Sequence, residues 1–255
     1  MYQIYAMRIS DRFIESSNVF LQTDYNKKVL ITYYFWLLQG TDKTILIDTG
    51  ISQDELSCRS LEGPTREEML ARVNIQPGDI DAVIISHLHN DHFAEPDIYT
   101  KALYYVQRKE LEYWSGDVQG IHVLSKPQFL NGRPAVDLMA FQKLNSEGRV
   151  RLLDGDNEIY PGLSVILLGG HTPGHQLVKV NTARGDVLLC VDFADTYRNL
   201  EERIPTGTYT NLLEWMSGIN RIELMRLPKE SLIPGHDPLV MSLFPEIAKD
   251  VVKIA

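Results

Sequence analysis

The apolar run Ala82-Val83-Ile84-Ile85 stops abruptly at Ser86 and is followed by His87-Leu88-His89-Asn90-Asp91-His92. Three of the chain's seven histidines and one aspartate thus crowd into six positions at the end of what reads as a buried strand. In extended backbone, residues two apart point to the same side, so His87 and His89 can grip one ion. Asp91 and His92 lie past the bend and can face a second ion beside it. A metal-free, histidine-rich polar loop is the competing reading, and the other strand ends decide between the two. His171 follows the run from Val165 to Gly170, Asp192 follows Val187-Leu188-Leu189-Cys190-Val191, and His236 follows Leu232-Ile233-Pro234-Gly235. Strand ends that each finish on a metal-binding residue type call for a fold in which those ends converge on one edge of a sheet core. Seven ligands suit two cations. Histidine with carboxylate, and no ligating cysteine, suits zinc, with manganese, iron or cobalt as alternatives.

The remaining segments supply that core. Two β-branched and aromatic runs flank the polar turn Gly40-Thr41-Asp42-Lys43, which predicts a hairpin. Thr65–Val73 predicts a short helix with Thr65 as N-cap and Glu68 three residues on, a capping box. A strand is expected over Lys101–Gln107 and a helix over Arg108–Trp114, and strand signals resume from Arg149 to Gly170. A hairpin is expected across Gln176–Asp192, with its turn around Arg184-Gly185-Asp186. Leu212, Leu213, Met216, Ile219 and Leu224 give Thr208–Leu227 a helical period. Residues 115–148 differ in texture, with scattered Gly and Pro and isolated Phe129 and Phe141, and read as an excursion or flap outside the core. Strands with helices placed between them indicate a layered α/β fold with its function at strand ends and loops.

Composition removes several classes of function. With 255 residues, 44% hydrophobic and 23% charged, and no repeat or long linker, the chain reads as one ordinary globular domain over 1–255. No apolar run reaches ~18 residues, so no membrane contact is expected. The N-terminal residues lack a signal-peptide pattern, and Cys58 and Cys190 suggest no disulfide framework, which fits a reducing cytoplasmic location. A net charge of −9 with no basic stripe argues against nucleic acid as a partner.

His-x-His-x-Asp-His resembles the signature of the metallo-β-lactamase superfamily. Leu46-Ile47-Asp48-Thr49-Gly50, Gly169–His175, Val191-Asp192 and Pro234–Asp237 fall in that family's order, so the resemblance runs from about Tyr33 to Asp237. It implies an αββα sandwich of two mixed β-sheets flanked by helices, with two metals at one edge. His87, His89 and His171 would hold the first metal; Asp91, His92 and His236 would hold the second; Asp192 would bridge. Such a centre lowers the pKa of a shared water toward ~7, and the hydroxide so formed attacks a carbonyl. The expected substrate is a small molecule with an ester, lactone, thioester or amide carbonyl.

Spacing narrows the branch. His171 lies 79 positions after His92, Asp192 21 after His171, and His236 44 after Asp192. These distances resemble the N-acyl homoserine lactonases, which open a lactone ring, and residues 191–205 resemble the lactonase stretch after the bridging aspartate. Glyoxalase II-type thioesterases share the ligands but add a helical domain, for which the residues after His236 leave no room. Cyclic amide hydrolysis and a di-iron redox reaction in the same cage stand as alternatives, and a homodimer fits by resemblance alone. Lactonases place a substrate-steadying tyrosine three residues after the bridging aspartate. Here that position is Asp195, and Tyr197 stands two further on. Asp91, Asp192, Asp195 and Tyr197 are therefore the candidate catalytic residues. Asp48 resembles a residue that orients a ligand histidine, and Cys190 reads as a packed strand residue. His175 reads as a loop stabiliser, His122 as a surface residue, and Asn90 has no assigned role. Tyr33, Tyr34, Phe35 and Trp36 read as sheet core. Phe13, Phe20, Tyr25 and Trp114 read as aromatics of irregular segments.

Overall fold

Alternation of side chains along extended backbone lets one strand serve two layers, and the long antiparallel pair β1 (Gln3–Glu15) and β2 (Lys28–Gln39) does so. Ile4 and Ala6 of β1 face one cluster, while Tyr5 and Met7 face another. The computed structural model describes residues 1–115, 129–130, 133–134 and 136–255. After β2 come β3 (Thr44–Ile47), β4 (Ala82–Ile84) and β5 (Leu103–Gln107). The short pair β6 (Phe129–Leu130) and β7 (Arg133–Pro134) follows, and then β8 (Val150–Leu153). Next are β9 (Asn157–Tyr160), β10 (Leu163–Leu167), β11 (Gln176–Thr182), β12 (Gly185–Val191) and β13 (Leu232–Pro234). The last two are β14 (Glu246–Ala248) and β15 (Val251–Lys253).

These form an eight-stranded sheet, β14-β15-β1-β2-β3-β4-β5-β8, and a five-stranded sheet, β13-β12-β11-β10-β9. Both are mixed: β3, β4, β5 and β8 run parallel in the first, and β12 and β13 run parallel in the second. The inner faces meet in a cluster that includes Tyr34, Trp36, Ile45 and Ile84 from the first sheet and Val165, Val178, Leu189 and Ile233 from the second. The outer face of the large sheet packs Phe35, Leu37, Leu46 and Val83 under helices that contribute Leu56, Met69, Leu70 and Phe141. The outer face of the small sheet packs Leu177, Leu188 and Cys190 under Trp215, Ile219 and Ile222 of the helix Leu212–Leu224. The result is the expected αββα sandwich of two mixed sheets flanked by helices.

Topology also places the site. β10 and β12 each pair antiparallel with β11, so both run in one direction, and β13 runs with β12. Their C-terminal ends, carrying His171, Asp192 and His236, therefore emerge at one edge. In the other sheet the parallel pair β3 and β4 presents Asp48 and the histidine cluster from its own C-terminal ends.

The hairpin at Gly40–Lys43 forms, closed by Gly40 N–H donating to the Lys43 carbonyl. Helix Arg66–Ala71 forms with the Thr65–Glu68 capping box. Other expectations are corrected. The turn between β11 and β12 consists of Ala183 and Arg184, with Thr182 paired to Gly185. Leu138–Ser146 is a helix whose Phe141 and Leu144 are buried in the core, so the end of the presumed excursion is a packed element. Phe13 lies on β1 with its ring exposed, whereas Trp114 closes the helix expected from Arg108, which runs over Arg108–Ser115. His122 and the side chain of Phe129 lie outside the described residues. Among the described residues, no helix is long and apolar enough to cross a membrane.

Candidate metal centre

The residues between β4 and the next helical turn bend so that His87, His89, Asp91 and His92 face the gap between the sheets. Asp48 and Val191, each at a strand end, adopt left-handed backbone with φ of 61° and 46°. For β-branched Val191 that conformation is strained, and strain of this kind persists where the surrounding structure dictates it. It turns the chain so that Asp192 points inward.

Three imidazole nitrogens meet at one point: His89 Nδ1 lies 2.9 Å from His87 Nε2 and 3.0 Å from His171 Nε2. Asp192 Oδ2 faces this group, 3.7 Å from His87 Nε2 and 3.5 Å from His171 Nε2. The other oxygen, Oδ1, lies 3.0 Å from both His92 Nε2 and His236 Nε2. Asp91 stands 3.9 Å from His92 Nε2. One carboxylate thus addresses two clusters of lone pairs, His87/His89/His171 and Asp91/His92/His236. Asp195 forms a third grouping with Asp192 and His236, its ligand atom within 4.8 Å of theirs.

The opposite ring nitrogens set the tautomers. His171 Nδ1 lies 2.7 Å from the Thr208 carbonyl and His236 Nδ1 lies 2.8 Å from the Thr32 carbonyl. A carbonyl only accepts, so each Nδ1 carries the hydrogen and leaves Nε2 as a free lone pair in the neutral ring. Asp48 Oδ2 does the same for His92 Nδ1 at 2.8 Å and also accepts from Ser86 Oγ. Asp48 therefore orients a histidine of the cluster. Outer partners of this kind raise the basicity of a ligand and hold its ring in place.

Burial pushes His87 and His89 below the ordinary imidazole range and takes His171 down to about 4, so these rings are neutral at pH 7. Burial also opposes charge on His92 and His236, but the Asp192 carboxylate outweighs it, raising His92 and holding His236 at about 9. This half of the cluster attracts positive charge. Neither His92 Nε2 nor Asp192 Oδ1, both buried, completes a hydrogen bond among the described residues. Buried lone pairs left open in convergent array, with fixed tautomers and an ionised carboxylate between them, are a donor set that fits two divalent cations.

Glu110 ties the two histidine loops together, and its sequence context as part of an ordinary helix concealed this. Its carboxylate, wholly buried, accepts from Leu88 N–H at 2.9 Å and Trp114 Nε1 at 2.8 Å through one oxygen. The other oxygen accepts from Thr172 Oγ1 at 2.6 Å and Gly174 N–H at 3.0 Å. A Cβ on Gly174 would stand 2.3 Å from the Glu110 backbone nitrogen, so only glycine permits this approach.

The cluster forms the floor of a cleft of about 370 Å³. Trp114, Ile14 and Ile31 give it apolar walls, and Arg12, Asn18, Tyr33, Arg59 and Asn90 give it polar ones. Tyr33, expected as sheet core, is buried but lines the cleft beside His236, with ring centroids 5.8 Å apart. Arg59 donates to Tyr33 Oη at 2.5 Å, Asn90 Oδ1 at 3.0 Å and Glu55 Oε2 at 3.3 Å. Asn90, previously without a role, is part of this wall. Asp195 lines the cleft, with burial and the Asp192 charge raising its pKa well above the carboxylate range.

Tyr197 is not among the cleft-lining residues. It opens a short helix, Tyr197–Glu201, its N–H donates to Asp237 Oδ2 at 2.9 Å, it packs against the cluster between the sheets, and it lines a second cavity of about 320 Å³ with Leu200 and Ile219. The two residues after Asp195 carry the chain round into that helix, which turns the phenol away. Cys190 packs on the outer face of β12, its thiol pushed up to about 12 by burial, and takes no part in the cluster. His175 is buried near His87 and His171, and both its ring nitrogens lack a partner among the described residues.

A double sheet flanked by helices, with a histidine–aspartate cluster at the converging strand ends, defines a class of metal-dependent proteins. The chain belongs to the metallo-beta-lactamase superfamily, whose family model matches residues 32–236. It is similar to N-acyl homoserine lactonase AiiA of Bacillus thuringiensis subsp. kurstaki, 28% identical over 228 residues that cover 83% of each chain. N-acyl homoserine lactonase AttM of Azorhizobium caulinodans is 27% identical over 178 residues, covering 65% of this chain and 61% of that protein. The fold also matches the solved structure of an N-acyl homoserine lactone hydrolase with N-hexanoyl-L-homoserine bound at its catalytic metal centre. That match has a TM-score of 0.73 at 23% identity and covers 96% of this chain and 97% of the other. AidC, a dizinc quorum-quenching lactonase, matches with a TM-score of 0.71 at 14% identity over 93% of this chain and 88% of its own.

Proposed function

We propose that this protein is a dinuclear metal-dependent hydrolase that opens a lactone or a related cyclic ester. The observation that carries the reading is the two-faced placement of Asp192, one oxygen toward His87 and His171 and the other toward His92 and His236. His87, His89 and His171 would hold one cation, Asp91, His92 and His236 the other, and Asp192 both, with zinc the first choice for this donor set. When bound, two such cations supply a water of lowered pKa and polarise a carbonyl oxygen. The chain's own part is to fix the rings: the Thr208 and Thr32 carbonyls and Asp48 hold the outer nitrogens, so that the inner lone pairs stay directed at the cleft. Trp114 and Ile31 give the cleft apolar flanks, and Asp195 lines it beside Asp192 and His236. The lactonase names of the relatives favour a lactone over other carbonyl substrates.

The test is a zinc-loaded enzyme assayed on lactones, linear esters, thioesters and cyclic amides, with metal content measured alongside. Lactone opening with about two zinc ions per chain, abolished in His89→Ala, is expected. A metal-replete enzyme that turns over none of these substrates overturns the reading.

A further inference from the structure

Hydrogen-bond capacity is unevenly distributed in the cleft. The carboxylates Asp91, Asp192 and Asp195 gather on the floor with the histidines, while the outer wall carries donors. Arg12, half-buried on β1, lines the cleft, and its guanidinium makes no ion pair or hydrogen bond among the described residues. Asn90 is 8% exposed, and its Nδ2, fully buried, has no partner among the described residues although Oδ1 accepts from Arg59. Arg59 uses three N–H groups on Glu55, Tyr33 and Asn90, which leaves two of its five free. Asn18 adds an exposed amide at the rim. Buried donors are ordinarily satisfied, so an open amide and an unpaired guanidinium lining one cleft mark a place kept for an acceptor. A purely alkyl tail would leave both unmet and would dehydrate Arg12 without return.

We propose that the substrate carries an oxyanion, in its simplest form a carboxylate, at the end remote from the scissile carbonyl, and that Arg12 and Asn90 bind it. The proposal rests on the hydrolase reading above and adds the substrate's class: an anionic lactone or ester. Arg12 supplies the charge, because Glu55 already pairs with Arg59. Asn90 supplies the neutral donor, and Arg59 holds Asn90 in position. Trp114 and Ile31 add apolar lining to the same cleft. Arginine matches a carboxylate with two parallel N–H bonds, which makes it a selective as well as an attractive partner.

Two ligands that differ only at that end decide the matter: N-adipoyl-homoserine and N-hexanoyl-homoserine, both ring-opened, titrated calorimetrically into the zinc-loaded full chain. The adipoyl compound is expected to bind about 10- to 100-fold more tightly, the range for a charge-assisted hydrogen-bonded pair. Arg12→Gln should reduce the difference to less than about threefold, and Arg12→Lys, which keeps the charge but loses the fork, should retain part of it. The corresponding lactones should show the same contrast in KM with kcat much less affected. A phosphonate-ended analogue bound more tightly than the adipoyl compound would assign the pocket to phosphoryl rather than carboxyl groups. Equal affinity for the two tails, binding of neither, or a preference that survives Arg12→Gln overturns the proposal. Failure of the hydrolase reading is separately visible: no lactone is turned over, whatever the calorimetric preference.

Discussion

The floor of the cleft and its outer wall are built by different means. On the floor every inward-facing ring has its other nitrogen or its loop tied down: His171 to Thr208, His236 to Thr32, His92 to Asp48, and the loops to Glu110. These groups sit at the ends of strands buried between two sheets, and their lone pairs converge. The wall draws on β1, β2, the turn after a short helix and, at Asn90, the histidine loop itself, and its donors are partly unmet. Preorganised lone pairs set which reaction is possible, whereas unmet donors at a rim set which molecule is accepted. A change on the floor should therefore cost turnover outright, and a change on the wall should shift selectivity.

The largest effect is expected at Asp192. Asp192→Ala removes the carboxylate that, alone among the described residues, faces both histidine groups, and kcat should fall by about a thousandfold or more, with metal content below two per chain. Paired kinetics and metal analysis check this; retention of two tightly held ions would show that the bridge is dispensable. Next comes Glu110, which acts on the floor from outside it. Glu110→Ala strands four buried donors, and stability should fall by about 3–5 kcal/mol in denaturant unfolding. A loss under 1 kcal/mol would mean that water replaces the carboxylate and that the loops are held otherwise.

The same contrast explains what could be read from the chain. Ligands contributed by contiguous or strand-terminal residues are visible in sequence because each closes an apolar run, and all the cluster members were legible for that reason. The same runs indicated a layered α/β fold, and the resemblance to the metallo-β-lactamase superfamily supplied the double sheet. Strand β1 was not legible, because Arg8, Asp11 and Arg12 interrupt its alternation on the half that borders the cleft. Helix Leu138–Ser146 was missed because it buries only Phe141 and Leu144, too few to set a period. Glu110 reads as a surface residue of a charged helix until its four donors are seen. Tyr33 and Arg59 lie 26 positions apart and meet only through the fold.

Tyr33 gives the first test of the wall. Its hydroxyl accepts from Arg59 and is free to donate toward the cleft, so Tyr33→Phe releases Arg59 and, through it, Asn90. KM should rise about threefold to tenfold, as expected for one charged-donor hydrogen bond, while kcat changes less. An equal fall in kcat would move Tyr33 from the wall to the reaction itself.

The smallest effect is expected at Tyr197, and it separates chain proximity from spatial proximity. Two residues beyond Asp195, this phenol is the natural replacement for a missing tyrosine if the loop is pictured in line. The helix Tyr197–Glu201 instead anchors its N–H on Asp237, and Tyr197 packs against the cluster between the sheets and lines the second cavity. Removing the hydroxyl takes nothing from the cleft, so kcat/KM for any substrate should stay within about twofold in Tyr197→Phe, less than the smallest single hydrogen bond to a charged group would cost. A tenfold or greater loss would require the helix to unwind during turnover and deliver Tyr197 to the floor. Hydrogen exchange at residues 197–201 would then be faster in the presence of substrate than in its absence, and an unchanged exchange rate would leave the loss to a different cause, the packing of that helix against the second cavity.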